Sequence, residues 1–208
     1  MQKKKFNIYK FLEGRPLSFS AFNTFSDPMW GSPEKWYASY IKGIRQTSPE
    51  LTFGSAVDKQ FQEDPAFLPE IERYENLQHK MEAILELGKK KVRLIGITDG
   101  YTKGTRHKIM DLKTGRNPWN SKKAAETKQL TFYALLLFLT EGVRPEDVDF
   151  EISWCPTYVR ADLSIDFVRP IAVQTFKTRR TMADIVKLCG EIDKCVKDMQ
   201  KYYDNSGI

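Results

Sequence analysis

Two carboxylates and a lysine lie close together in the middle of this 208-residue chain. Asp111 and Lys113 are two residues apart in HKIMDLKT, a segment that predicts a strand, so both side chains point to one face. Asp99 ends the preceding strand-like run, LIGITD. Carboxylates suit a hard divalent cation, and a nearby lysine can stabilise developing negative charge or act as a base if its pKa falls. The trio predicts a minimal site for phosphodiester hydrolysis, whereas Asp111 and Lys113 alone also fit an exposed, salt-bridged strand.

The connection between the two strand-like runs decides whether the carboxylates can meet. The runs KVRLIGITDGY and HKIMDLKT are separated by TKGTR, a pattern that predicts a hairpin. A four-residue turn at 102–105 would place Asp99 opposite Lys108 instead of Asp111. A shared site therefore requires a bulge or a strong twist in this hairpin.

Three polar residues on predicted helices are further candidates for the site. Gln129 and Tyr133 are four residues apart, so they share one helix face. Either both reach the site, or Tyr133 is a core residue with Gln129 at its border. Asp58 lies on an earlier helix and is a candidate third metal ligand. Gly54, one turn before it, costs about 1 kcal/mol relative to alanine inside a helix, which close approach of another backbone would explain.

The charge balance favours a polyanionic partner, because the net charge is +6 and the pI is about 9.1. Basic and aromatic residues follow the Asp111 strand closely, in a position suited to holding phosphates. They are Arg116, Trp119, Lys122, Lys123 and Lys128. The alternative is an ordinary solvated loop. No stretch approaches the roughly 18 apolar residues of a membrane helix, and the start does not resemble a secretory signal, so we expect a cytoplasmic protein without membrane attachment.

The spacing of apolar residues and of proline and glycine predicts the order of elements. Predicted helices cover two short segments within 18–42 and the segments 52–63, 69–88, 120–140 and 175–203. Predicted strands are the two hairpin runs, then VDFEISWCPTY and LSIDFVRP. This order predicts an α/β fold, with a mixed β-sheet of four or more strands flanked by helices.

Four segments in this order resemble the restriction-endonuclease-like PD-(D/E)XK superfamily, and most closely its RecB-type exonuclease branch. That branch includes CRISPR adaptation nucleases and many phage recombination exonucleases. The matching segments are LTFGSAVDKQF, LIGITDGY, KIMDLKTG and KQLTFYALLL, and LSFSAFNTFSDPMWGSPEKWYASYIKG resembles the opening helices of the branch. Each motif alone is weak, but the ordered set covers most of residues 17–140. It implies one nuclease domain over 1–208, with a helical cap at 17–51 and a nuclease core at 52–208.

The resemblance implies a role for each matched residue. Asp99, Asp111 and the backbone carbonyl of Leu112 would bind the metal, and Lys113 would orient water and stabilise charge. Gln129 and Tyr133 would support the site and contact DNA. Asp58 stands where the branch usually has histidine, and it would be a further metal ligand.

The implied activity is Mg²⁺- or Mn²⁺-dependent hydrolysis of DNA, more in keeping with an exonuclease acting on ends or single strands in recombination, repair or replication than with a sequence-specific cutter. The rival is a catalytically silent nucleic-acid-binding module that keeps the fold. Asp27 stands where iron–sulfur members of the branch have cysteine, and the chain has only three cysteines. We therefore expect no iron–sulfur cluster.

Overall fold

The computed structural model describes residues 6–29, 31–44 and 47–205. Its helices are α1 (Ile8–Gly14), α2 (Phe19–Ser26), α3 (Pro33–Trp36, continued by a π-helical turn at Tyr37–Ile41), α4 (Pro49–Glu63), α5 (Ser121–Glu126), α6 (Lys128–Glu141) and α7 (Met182–Asn205), with a 3-10 turn at Pro145–Asp147. Its strands are β1 (Leu17–Ser18), β2 (Asn76–Leu87), β3 (Lys90–Thr102), β4 (His107–Gly115), β5 (Val148–Val159), β6 (Ile165–Phe167) and β7 (Gln174–Thr178).

Serine caps set the starts of the N-terminal helices. The hydroxyls of Ser18, Ser32 and Ser48 each accept a hydrogen bond from the backbone N–H three residues later. Proline follows immediately in α3 and α4, at the first helical position, where its missing N–H costs nothing. These three helices therefore begin where the sequence supplies an acceptor.

Across the described residues the strands form one seven-stranded mixed sheet, which confirms the predicted α/β fold. β3 runs antiparallel to β2 and β4 and parallel to β1. β4 runs parallel to β5, and β5 is antiparallel to β6 and β7. Among the described helices, none combines the length and apolar character needed to cross a membrane.

Helices cover both faces of the sheet, because successive side chains of β4 pack into two different cores. Ile109 belongs to a large core with α1, α2, α6 and α7. Met110 and Leu112 belong to a second, smaller core with α4 and the segment after it. Neighbouring strand residues point to opposite faces, so α6 and α4 lie on opposite sides of the sheet. Asp111 therefore shares the α6 face with Ile109.

The helix predicted for 69–88 is wrong. Residues 76–87 form β2, and the preceding residues are irregular. Met81 and Leu85 are buried at even spacing, whereas Ile84 is 57% exposed, which fits a strand and not the predicted helical stripe. The helix-favouring residues of KMEAILEL are overridden because eleven of the twelve β2 residues pair with β3.

Two other boundaries also differ from the prediction. The segment 175–203 begins as strand β7, which pairs with β5, and helix α7 starts only at Met182. The segment 120–140 contains two helices, α5 and α6, that meet at Thr127. Helix α1 was not predicted. Its Asn7 cap and its buried Ile8 and Leu12 give only a short signal.

A pair of glycines predicts opposite effects on stability. A Cβ added at Gly96 would lie 2.5 Å from Leu136 Cδ1 on α6, so Gly96→Ala should lower the free energy of unfolding by about 1–3 kcal/mol. A Cβ at Gly54 would meet only Thr114 Oγ1, at 3.5 Å. The backbone approach proposed for Gly54 is therefore absent in the described residues, and Gly54→Ala should gain up to about 1 kcal/mol.

Urea unfolding of both variants beside the wild type measures these changes. A Gly96→Ala protein as stable as the wild type would show that α6 can move away from β3 without cost.

Candidate active site

A gap in the sheet lies between β1 and β4. β2 occupies one edge of β3 along nearly its whole length. β1 and β4 must therefore share the other edge, with β1 opposite Leu94 and Ile95 and β4 opposite Gly100–Thr102. Among the described residues, 96–99 consequently have no strand partner on this edge, and β4 diverges from β3 there while it stays paired with β5.

The hairpin register brings the two carboxylates together. The hairpin closes on the pair Thr102–Lys108, and not on the four-residue turn at 102–105 that would have paired Asp99 with Lys108. The same register, continued past the last pair, places Asp99 opposite Asp111. The carboxylates thus meet without an inserted residue.

β3 also changes the face to which its side chains point. Gly96 packs against α6, but Gly100, which an ordinary strand would place on the same face, packs against Tyr74 on the α4 side. The strand therefore twists between these glycines. After the twist, Asp99 shares the face of Tyr101, which belongs to the α6 core. The sequence analysis required a bulge or a strong twist here, and the structure shows this change of face without an inserted residue.

One oxygen of Asp111 is held by hydrogen bonds and the other is not. Gln129 Nε2 donates to Asp111 Oδ1 at 2.7 Å and to the Tyr133 hydroxyl at 2.8 Å. That hydroxyl lies 2.9 Å from the Ile97 carbonyl oxygen and 3.3 Å from Asp111 Oδ1. Asp111 Oδ2 is buried and accepts no directed hydrogen bond from the described residues, but it forms an ion pair with Lys113 Nζ at 2.6 Å. Gln129 and Tyr133 therefore both contact the carboxylate.

Both oxygens of Asp99 accept hydrogen bonds. Leu112 N donates to Oδ2 at 2.7 Å, and Gln78 Nε2 donates to Oδ1 at 3.0 Å. Burial, followed by the charge of Asp111, raises the pKa of Asp99 to about 7, against the opposing effect of Lys113. The N–H and C=O of one strand residue point to the same edge, so the Leu112 carbonyl also faces Asp99.

The charge state of Lys113 follows from its neighbours. Burial disfavours its ammonium, but Asp111, then Asp99 and Asp58, outweigh burial and raise the pKa of Lys113. The raised pKa favours the charged form of Lys113, which suits charge stabilisation. Burial and the Asp111 charge raise the pKa of Tyr133 well above its usual range, so it stays a neutral hydroxyl.

Asp58 approaches the cluster from the other side of the sheet. It lies on α4, whose Val57 and Phe61 pack with the smaller core. Burial raises the pKa of Asp58, the Lys113 charge lowers it and the Asp111 charge raises it, so its carboxylate is within electrostatic range of the cluster. Asp58 is thus close to the candidate site without a direct hydrogen bond to it among the described residues.

The donor set fits a hard divalent cation. The carboxylate oxygens of Asp99 and Asp111, with a backbone carbonyl beside them, are ligands that Mg²⁺ and Mn²⁺ accept. The buried Asp111 Oδ2, held only by an ion pair, is the atom best placed to exchange its partner for a metal. In the ranges that the structure describes, no three His, Cys, Asp or Glu side chains form a ready metal cage, so Asp58 does not complete one. Two carboxylates with waters and phosphate oxygens remain sufficient for Mg²⁺.

An open cleft leads to the cluster. A 570 Å³ cavity fills the sheet gap, lined by Lys113, Gln129 and Tyr133 on one side and by Ser18 and Asn23 on the other. A second cavity of 810 Å³ shares Asn23 and Gln129 with the first and continues between α2 and α5. The two cavities form one groove that runs over the surface to Lys113.

Four of the five predicted nucleic-acid-binding residues line this groove. Trp119 lies in its wall, and Lys123 Nζ is 4.3 Å from the centre of the Trp119 ring. Lys122 and Lys128 also line the groove, although Lys128 pairs with Glu191 at 2.8 Å. Arg116, the fifth, is exposed and is not part of the groove lining.

Gln78 was missed by the sequence analysis. The sequence analysis predicted a helix for this segment and gave Gln78 no role. Its contact with Asp99 depends on β2 pairing with β3, which a single amide in NLQHKM does not indicate. The polar residues of α2 that line the groove, Ser20 and Thr24 among them, were also missed as site residues.

Two exonuclease structures are similar to this chain in fold. A candidate exonuclease from Eubacterium rectale is similar in structure, with a TM-score of 0.56 and 17% identity, over 97% of this chain and 87% of that one. An alkaline exonuclease from Laribacter hongkongensis matches with a TM-score of 0.52 and 10% identity, over 94% and 95%. At such identities the likeness concerns the fold alone. No curated protein sequence matches significantly. A sequence model of the PD-(D/E)XK nuclease superfamily matches residues 61–202, about two thirds of the chain, and the chain therefore belongs to that superfamily.

Proposed function

We propose that this protein is a divalent-metal-dependent deoxyribonuclease that hydrolyses phosphodiester bonds at DNA ends or in single strands. One observation carries the proposal: Asp99, Asp111 and Lys113 lie together behind an open groove, and Lys113 lines that groove. A silent binding module has no need to keep two buried carboxylates and a lysine together, since burying charges is costly.

The residues of the chain divide the chemistry between them. A bound Mg²⁺ or Mn²⁺ would act as a Lewis acid on the scissile phosphate and its attacking water. Asp99, Asp111 and the Leu112 carbonyl would hold that ion. Lys113 would orient the water and stabilise the charge that develops on phosphorus oxygens. Gln129 and Tyr133 would keep Asp111 oriented through its Oδ1.

The residues that line the groove favour a single strand or a frayed end as the substrate. Its wall carries aromatic and apolar surface, Trp119 and the 77% exposed Met29, beside the lysines of α5. Bases of an unpaired strand stack on such surfaces while phosphates meet lysines, and a duplex shields its bases from stacking. The exonucleases similar in fold agree with action at ends.

A panel of labelled substrates tests the proposed function. Linear single-stranded DNA, linear duplex, closed circular single-stranded DNA and RNA are incubated with Mg²⁺, Mn²⁺ or EDTA. We expect products from linear DNA with either metal, faster for single strands, and little from closed circles. Cutting of closed circles at the same rate would indicate an endonuclease instead of an exonuclease. Binding without cleavage of any substrate would support the silent module instead.

The lysines of α5 should contribute to DNA binding through phosphate contacts. The double variant Lys122→Glu/Lys123→Glu should weaken single-strand binding for every sequence, and the slope of log K against log salt should become shallower by about 1.4. Fluorescence anisotropy in EDTA, where the strand is not cut, measures both effects.

The matched control is Lys197→Glu/Lys201→Glu, which reverses two exposed charges on α7. It should leave the slope near that of the wild type. Equal losses from both double variants would mean that only the net charge matters and that the groove holds no strand.

A further inference from the structure

Gln78 lies opposite Asp99 in the sheet and has an irregular backbone conformation. Its neighbours pair regularly with β3, Leu77 with Gly100 and His79 with Thr98, so the residue opposite Gln78 is Asp99. The backbone of Gln78 has a φ of 52°, in the left-handed region that residues with a Cβ seldom adopt. A strained backbone therefore lies directly beside a candidate metal ligand.

The left-handed residue changes the direction of β2. Leu77 packs with the smaller core on the α4 side, whereas Met81 lies in the large core on the α6 side. Two strand residues four apart ordinarily share one face. The change of face at Gln78 accompanies the twist of β3 between Gly96 and Gly100, and this twist turns Asp99 toward Asp111.

The side chain of Gln78 also holds the carboxylate group of Asp99. Its Nε2 donates to Asp99 Oδ1 at 3.0 Å, while the Leu112 N–H holds Oδ2 at 2.7 Å. With a donor on each oxygen, the Asp99 carboxylate has one orientation. Backbone strain persists where the surrounding structure imposes it, and such strain is concentrated at functional sites.

We propose that Gln78 is a positioning residue that holds Asp99 in its metal-binding orientation through its amide. The inference rests on the proposed function only in taking Asp99 as a ligand. Groups that hydrogen-bond to metal ligands commonly change metal affinity by 10–100-fold. Gln78 should accordingly change the affinity of the site for the metal without contacting the substrate.

Two variants separate this role from a purely structural one. Gln78→Gly removes the amide but suits the left-handed backbone, so its melting temperature in EDTA should equal or exceed that of the wild type. Gln78→Met keeps the length of the side chain and the backbone strain but cannot donate, so its melting temperature should not rise. The binding of Mn²⁺ to the DNA-free protein is measured by electron paramagnetic resonance.

We expect both variants to bind Mn²⁺ about tenfold more weakly, although Gln78→Gly should be at least as stable as the wild type and Gln78→Met no more stable. Their kcat should fall while KM for DNA changes little. Leu163→Gly is the control, because Leu163 has a φ of 67° and is 75% exposed in a loop. It should leave Mn²⁺ affinity unchanged.

Wild-type Mn²⁺ affinity in Gln78→Gly, or affinity that follows stability across the variants, would overturn the proposal. A wild-type protein that binds Mn²⁺ through Asp99 but cuts no nucleic acid would refute the proposed function and leave the role of Gln78 intact.

Discussion

Replacing Lys113 with alanine should lower the rate of DNA cleavage by about 10²–10³-fold, the usual cost of losing one group that stabilises transition-state charge. Metal affinity should stay the same or increase, because the ammonium no longer competes for Asp111 Oδ2, from which it lies 2.6 Å away. Single-turnover cleavage gives the first quantity and calorimetric titration with Mn²⁺ gives the second.

The matched control for this experiment is Lys108→Ala. Lys108 lies on the same strand, but it pairs with Glu72 at 2.6 Å and is away from the groove. Its removal should change the cleavage rate by less than about twofold, because exposed ion pairs contribute little. Wild-type cleavage by Lys113→Ala would show that its charge has no part in the reaction.

Replacing Asp99 with asparagine should abolish detectable cleavage and make the metal-free protein more stable. Asparagine can keep the hydrogen bond from Leu112 N, and it removes a charge that faces Asp111 in a buried setting. Active sites commonly carry such a stability cost. At pH 8 in EDTA we expect a gain on the order of 1–2 kcal/mol, which is several degrees in melting temperature.

The pH dependence of this gain in stability follows from the direction in which the pKa of Asp99 is shifted. The pKa of Asp99 is raised to about 7 in the folded protein, above the ordinary aspartate value in the unfolded chain. Between these values the folded protein binds more protons, so rising pH destabilises it. The asparagine variant should therefore differ little from the wild type near pH 4 and gain its full advantage above pH 7.

Melting curves from pH 4 to pH 8 test this predicted pH dependence of Asp99→Asn, with Asp149→Asn as the control. Asp149 forms surface ion pairs with Arg106 and Arg179, so its loss should not stabilise the protein. A melting temperature of Asp99→Asn below that of the wild type at pH 8 would contradict the account of repelling carboxylates.

The parts of the site that were predictable from the sequence depend on local rules. Asp111 and Lys113 share a face because a strand alternates, and Gln129 and Tyr133 share a face because a helix turns every 3.6 residues. The superfamily was predictable from the order of its motifs, and the sequence model of that superfamily confirms it. Roles for these residues stay predictions until activity is measured.

The missed parts depend on long-range pairing. β2 was predicted as a helix because its methionine, alanine, leucine and glutamate residues favour helices, and only pairing with β3 makes it a strand. Gln78 could not be identified without that pairing, because nothing in its type requires a left-handed backbone. The hairpin register could not be predicted for a related reason, since a loop can close on several pairs and TKGTR does not select one.

The most direct test of the central claim compares metal binding with metal-dependent cleavage in one preparation. Metal binding, measured by calorimetric titration, and the rate of cleavage of linear single-stranded DNA are followed with Mg²⁺ and with Mn²⁺, for the wild type and for Asp111→Asn purified identically. We predict that the two midpoints coincide for the wild type and that Asp111→Asn shows neither response. Cleavage that persists in EDTA, or in Asp111→Asn at the wild-type rate, would contradict a metal-dependent site built on Asp99, Asp111 and Lys113.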